Sequence, residues 1–125
     1  MRFSIFTATT LCLAAAGSER STMAEPVAEI VTFRLTDGAD TAAFAKAADR
    51  MTPFLKDTGA VLSRILSVDE DGLWTDHITW TSMQAALAAA QDMMQQPEAA
   101  PFMQMIAPET VQMRHAPIRF SMTPE

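Results

Sequence analysis

From Val27 to Leu35 the chain alternates between apolar and polar positions and favours β-branched residues and phenylalanine, which predicts a strand. Asp37-Gly38 interrupts it, and Asp40 stands where a helix N-cap belongs. Beyond the cap, Phe44, Ala47, Ala48, Met51 and Leu55 recur at helical spacing, with Lys46, Asp49 and Arg50 elsewhere on the wheel. Pro53 lacks the N–H its turn would use, so the helix kinks or restarts there, and Gly59 ends it. A second strand is expected over Ala60 to Val68, a hairpin turn at Asp69-Glu70-Asp71-Gly72, and a third strand over Leu73 to Trp80. Ser82 caps a second helix whose apolar stripe is Met83, Ala86, Leu87, Ala90 and Met94 and whose polar stripe is Gln84, Gln91 and Gln95. Pro97 stops it. Glu98 to Ile106 reads as a further helical turn started by Pro101, and Thr110 to His115 as the last strand, closed by Pro117.

Strand, helix, hairpin, helix, strand is the split βαβ order of a ferredoxin-like α+β domain, βαββαβ, spanning Val27 to Phe120. Its four-stranded antiparallel sheet, in the spatial order 4-1-3-2, carries helices on one face only. The other face must then meet solvent or a partner. A length of 125 residues fits one domain, read as 23–125 behind a separate leader at 1–22. A net charge of −6 without any basic cluster argues against nucleic acid and against an anionic membrane surface as partners. The single cysteine, Cys12, excludes an intrachain disulfide and a C-x-x-C site. With only His77 and His115 as imidazoles, a zinc site would need carboxylates to complete it, so no metal site is expected.

Residues 1–22 admit two readings. Arg2, the apolar run Phe3 to Ala16 and Ala14-Ala15-Ala16 ahead of Gly17 fit a short secretion signal, too short and too threonine-rich to span a membrane. Alternatively translation starts at Met23, a few residues before the first strand. Glu19-Arg20-Ser21 is codable as a purine-rich bacterial ribosome-binding sequence at suitable spacing. The first reading makes the protein periplasmic or secreted, and the second, slightly favoured, makes it cytoplasmic.

Three segments carry a family resemblance: "AEIVTFRL" opening the domain, "GLWTDHITWTSMQAALAAA" joining the third strand to an alanine-rich helix, and "PEAAPFMQMI" before the last strand. In this order and length the chain resembles the dimeric α/β-barrel superfamily, which includes antibiotic-biosynthesis-monooxygenase-like proteins. The resemblance implies a homodimer with its two sheets face to face and a pocket between each sheet and its own helices. It also implies small-molecule chemistry, since its members include cofactor-free oxygenases of aromatic substrates, haem-degrading enzymes and small isomerases and decarboxylases; no cofactor is expected here. The chain departs from the characterised oxygenases in two respects: Met83 to Gln96 contains no histidine, and the chain contains no tyrosine.

Alternation along the third strand puts Trp74, Asp76, Ile78 and Trp80 on one face and Leu73, Thr75, His77 and Thr79 on the other. A carboxyl between two indoles suits general acid or base work; equally, the tryptophans are core and Asp76 pairs with an arginine. Glu29 interrupts the apolar face of strand one, Arg64 that of strand two (Leu62, Leu66, Val68), and His115 follows Val111 and Met113 in strand four. Strand order 4-1-3-2 lets Glu29 stand between His115 and Asp76, with Arg64 reaching Asp76 from the far side. Asp76 and His115 are thus the candidate catalytic pair, His115 a base oriented by Glu29, and Arg64 a holder of a substrate anion. Trp74, Trp80, Arg64, Glu29 and His77 are the candidate substrate-binding residues.

Register decides the assembly. A two-residue turn at Glu70-Asp71 or Asp71-Gly72 puts Arg64 on the face of His77, and an odd loop puts it on the face of Asp76. The competing reading of the cluster is an ion-pair network at a dimer interface. His77 with Thr75 and Thr79 fits a hydrogen-bonded structural residue, and a metal shared by His77 and His115 requires both on one face. Six methionines from Met83 to Met113 suit an adaptable pocket for a flat apolar or aromatic ligand, or gap-filling between helix and sheet. Two functions remain open: a small-molecule enzyme or binder of the monooxygenase-like class, or a non-catalytic dimeric ligand-binding or structural module. Ile30, Val61, Ile65 and Leu73, expected on the sheet's free face, call for a homodimer that covers them.

Overall fold

The computed structural model describes residues 25–124, so the two readings of 1–22 and the position of Cys12 lie outside the described residues. Its elements follow the expected order: β1 (Val27–Phe33), α1 (Thr41–Asp49), α2 (Thr52–Asp57), β2 (Val61–Val68), β3 (Trp74–Trp80), α3 (Met83–Met93), α4 (Ala99–Gln104), a 3₁₀ turn (Pro108–Thr110) and β4 (Gln112–Pro117). Local chemistry explains most boundaries. Asp40 Oδ2 accepts the Ala43 N–H at 2.9 Å and Ser82 Oγ that of Ala85 at 3.1 Å, capping α1 and α3. Pro53, in the first turn of α2, divides the first helical segment in two. Gly59 leaves that segment at φ 67°, where a Cβ would be strained.

The sheet is fully antiparallel in the order β2-β3-β1-β4, the expected 4-1-3-2. Five residues, 69–73, join β2 to β3, an odd count that settles the register as Val68↔Trp74, Leu66↔Asp76 and Arg64↔Ile78. Asp69 Oδ1 accepts the N–H groups of Asp71 and Leu73, each at 2.9 Å, which closes the loop as a compact turn. Arg34 Nη1 donates to Asp71 O at 2.7 Å and ties the turn to the end of β1.

One face of the sheet packs against the helices. Val27, Phe33, Trp74, Ile78 and Trp80 contribute to the core from the strands, Phe44, Ala86 and Phe102 from the helices, and Met51 from the junction of α1 and α2. Phe44 is its hub. Its ring is edge-on to Phe33 at 5.5 Å and to Trp74 at 4.9 Å, and stacked on Phe102 at 5.1 Å.

Several expected face assignments are corrected by the structure. A β-bulge between Val61 and Ser63 pairs Val61 with Trp80 and leaves Leu62 as the extra residue. Val61 therefore packs against the core and not on the free face, and Leu62 is 59% exposed and off the apolar face. In α3 the buried positions are Ala86 and Ala89; Leu87 and Met94, expected in its stripe, are exposed. The free face carries Ile30, Ile65, His77, Arg114 and a field of serines and threonines, while Leu73 sits in the turn.

Candidate functional site

A cavity of about 250 Å³ lies between the sheet and the helices. Its wall is overwhelmingly apolar, with Met51, Met93, Met94, Met103 and Met113 among its residues. Thioethers reorient cheaply, so such a wall adapts to the shape of a flat guest. The charged residues lining it are Glu29, Arg64 and Asp76.

Arg64 and Asp76 form a fork. Arg64 Nε donates to Asp76 Oδ1 at 3.0 Å and Nη2 to Oδ2 at 2.7 Å, with the side chains 16% and 8% exposed. Nη1 donates to the Ala48 carbonyl at 2.8 Å, adding a cation to the C-terminal end of α1. The guanidinium carbon also lies 5.7 Å from the centre of the Phe102 ring. The Asp76 carboxyl group is thereby matched by a guanidinium through two hydrogen bonds. This is the arginine-paired alternative for Asp76.

Glu29 and His115 face one another across the β1–β4 ladder, and Nε2 lies 3.0 Å from Oε2. Both are largely buried, at 18% for the His115 side chain and 13% for Glu29. Glu29 lines the cavity, and His115 is not part of its wall. The strand order expected from the sequence, with Glu29 between His115 and Asp76, is the one observed.

The remaining candidates separate by face. Trp80 is 2% exposed and lines the cavity, and its Nε1 is a buried side-chain donor without a partner among the described residues. An unmet buried donor costs about 1–3 kcal/mol, which a ligand acceptor or a water would recover. Trp74 packs on Phe44 in the core and does not reach the cavity wall. His77 pairs with Ile30 and Ile65 on the free face, opposite the cavity. It is therefore no part of a cavity site, and a metal shared by His77 and His115 is ruled out by the sheet between them. Among the described residues no three His, Cys, Asp or Glu side chains converge as metal ligands, and no helix is long and apolar enough to cross a membrane.

Of the helical half of the cavity, sequence reasoning offered the methionines as pocket material and put Met51 and Ala90 in apolar stripes, but it missed Ala89 of α3 and Phe102 of α4. A usable signal was present in Phe102 and Ile106, one helical turn apart behind Pro101.

No family model and no curated protein matches the chain. Solved structures do match its fold. A Bordetella bronchiseptica protein assigned to the antibiotic biosynthesis monooxygenases superposes with a TM-score of 0.66 at 15% identity, over 77% of this chain and 99% of its own. SnoaB, a cofactor-independent oxygenase from Streptomyces nogalater, gives 0.54 at 18% identity, over 82% of this chain and 100% of its own. A monooxygenase from the gene ActVA-Orf6 of Streptomyces coelicolor, solved with the ligand nanaomycin D, gives 0.57 at 17% identity, over 81% and 94%. The fold is that of antibiotic-biosynthesis-monooxygenase-like proteins, as the sequence resemblance implied. At such identities the likeness carries the fold and not the activity.

Proposed function

We propose that this protein binds a flat, largely apolar small molecule in the cavity between sheet and helices, and does so as a homodimer. The observation that carries the reading is the cavity itself: about 250 Å³, walled by methionines and aromatic rings, Trp80 among them. Pockets of this kind are apolar with a few directional polar groups, and here Glu29, Arg64 and Asp76 are the charged residues on the lining. The neutralised Arg64–Asp76 fork favours binding over acid–base chemistry at Asp76. The second reading is cofactor-independent oxygenation of the bound molecule, favoured by the shared fold with SnoaB, itself such an oxygenase.

Dimerisation through the free face of the sheet completes the proposal. Ile65 is 62% exposed there beside Ile30 and His77, a surface suited to a second copy. Translation from Met23, and with it a cytoplasmic location, is the preferred reading.

Native mass spectrometry of the purified protein tests both parts together. The expected result is a dimer mass carrying a copurified small molecule. An oxygen-uptake assay with the released molecule then separates oxygenation from binding alone. A monomer free of any ligand, unable to take up naphthalene, overturns the proposal.

A further inference from the structure

Three charged residues line the cavity, and they differ in what they have left to offer. Both carboxylate oxygens of Asp76 are taken by Arg64, and three donor nitrogens of Arg64 are engaged in turn by Asp76 and the Ala48 carbonyl. Glu29 is different. His115 holds Oε2 at 3.0 Å, and Oε1 has no hydrogen-bond partner among the described residues. Nor is Oε1 among the buried unpartnered atoms, so a side chain only 13% exposed keeps reachable surface on its spare oxygen. Since Glu29 lines the cavity and His115 stands behind it, a guest meets the carboxylate first.

From this placement we infer that Glu29 is the residue that selects the ligand. Its Oε1 accepts a hydrogen bond from a ring N–H or a hydroxyl on an otherwise apolar, flat molecule. His115 is a positioning residue that fixes the carboxylate through Oε2 and does not itself touch the ligand. The inference rests on the proposed ligand cavity and narrows its ligand class to molecules with one hydrogen-bond donor. A carboxylate in an apolar wall penalises a guest that has no donor for it, because its hydration is lost without replacement.

The test compares two bicyclic probes of nearly equal shape, indole with its N–H and indene without one, in NMR titrations of the intact protein. Hydrogen bonds to a charged acceptor are worth roughly tenfold or more in affinity, so indole is expected to bind about ten times tighter than indene. With the unaltered protein, 1-methylindole should follow indene, a check that needs no variant to fold. Glu29→Leu should bring the indole preference to about one, chiefly by tightening indene, whose binding no longer strips water from an unpaired carboxylate. His115→Leu, which leaves the carboxylate in place, should reduce the preference in part, by about threefold. Equal binding of indole and indene, or a preference that survives Glu29→Leu, overturns the role of Glu29 and leaves the cavity reading standing. A preference untouched by His115→Leu overturns the positioning role. If neither probe binds, the cavity reading falls and the inference with it.

Discussion

Each carboxylate oxygen of Asp76 is held by a different nitrogen of Arg64, at 3.0 Å and 2.7 Å, so β2 and β3 are joined inside the domain by a planar two-bond fork. Its third contact, from Arg64 to the Ala48 carbonyl, extends the link to the end of α1. Breaking one half of such a pair strands a buried charge, which costs about 3–5 kcal/mol. Asp76→Asn is therefore expected to lower the melting temperature by more than about 10 °C, since 1 kcal/mol moves a domain of this size by roughly 4–8 °C. The double change Arg64→Leu, Asp76→Leu should recover much of that loss. Calorimetry of the three proteins checks it, and an Asp76→Asn variant as stable as the parent would remove the fork from the account of stability.

Cavity filling separates ligand binding from folding. Ala89 and Ala90 line the cavity from α3, so Ala90→Phe places a ring in or against the space a guest would use. The variant should keep its melting temperature within a few degrees and lose naphthalene binding by at least about tenfold. Titration of both proteins with naphthalene measures this, and undiminished binding would mean that the ligand sits elsewhere.

At the free face, Ile65 offers the clearest handle on assembly. It is 62% exposed between the serines of β2 and pairs with His77 of β3. Light scattering of the parent at micromolar concentration should report a dimer, and Ile65→Asp a monomer. An Ile65→Asp protein that still runs as a dimer would direct attention to a different surface.

The start of the mature chain is open to direct chemistry. N-terminal sequencing of natively expressed protein should read Met23 or Ala24. A terminus at Gly17 would instead establish cleavage after Ala16 and export.

How much of this was legible beforehand differs between strands and helices. Strand pairing has a period of two, so alternation in "VAEIVTF" and "WTDHITW" was enough to put Glu29, Asp76 and Trp80 on one face. Whether Arg64 joined them depended on counting turn residues, and Asp69-Glu70-Asp71-Gly72 is compatible with more than one turn. The bulge at Leu62 left no mark in the sequence, because Val61 and Leu62 are equally apolar and only backbone pairing tells them apart. In α3 the alanines hide the rotation of the helix: with small side chains all round, Ala86 and Ala89 were as good a stripe as Ala86 and Ala90. The contact between Glu29 and His115 followed from strand order, but which of them meets the cavity depended on side-chain placement that strand order does not determine.

The five residues between Val68 and Trp74 make the character of the site a question of parity. Deleting one of them while the strands stay paired would turn β2 over. Arg64, Leu66 and Val68 would pass to the outside, and Ser63, Ile65 and Ser67 would take their places. Asp76 would lose its cation and become an uncompensated acid in an apolar chamber, without a single substitution in either strand. In this fold the chemistry available inside can thus change by an insertion or deletion in an exposed turn, a kind of event that surface loops otherwise tolerate readily.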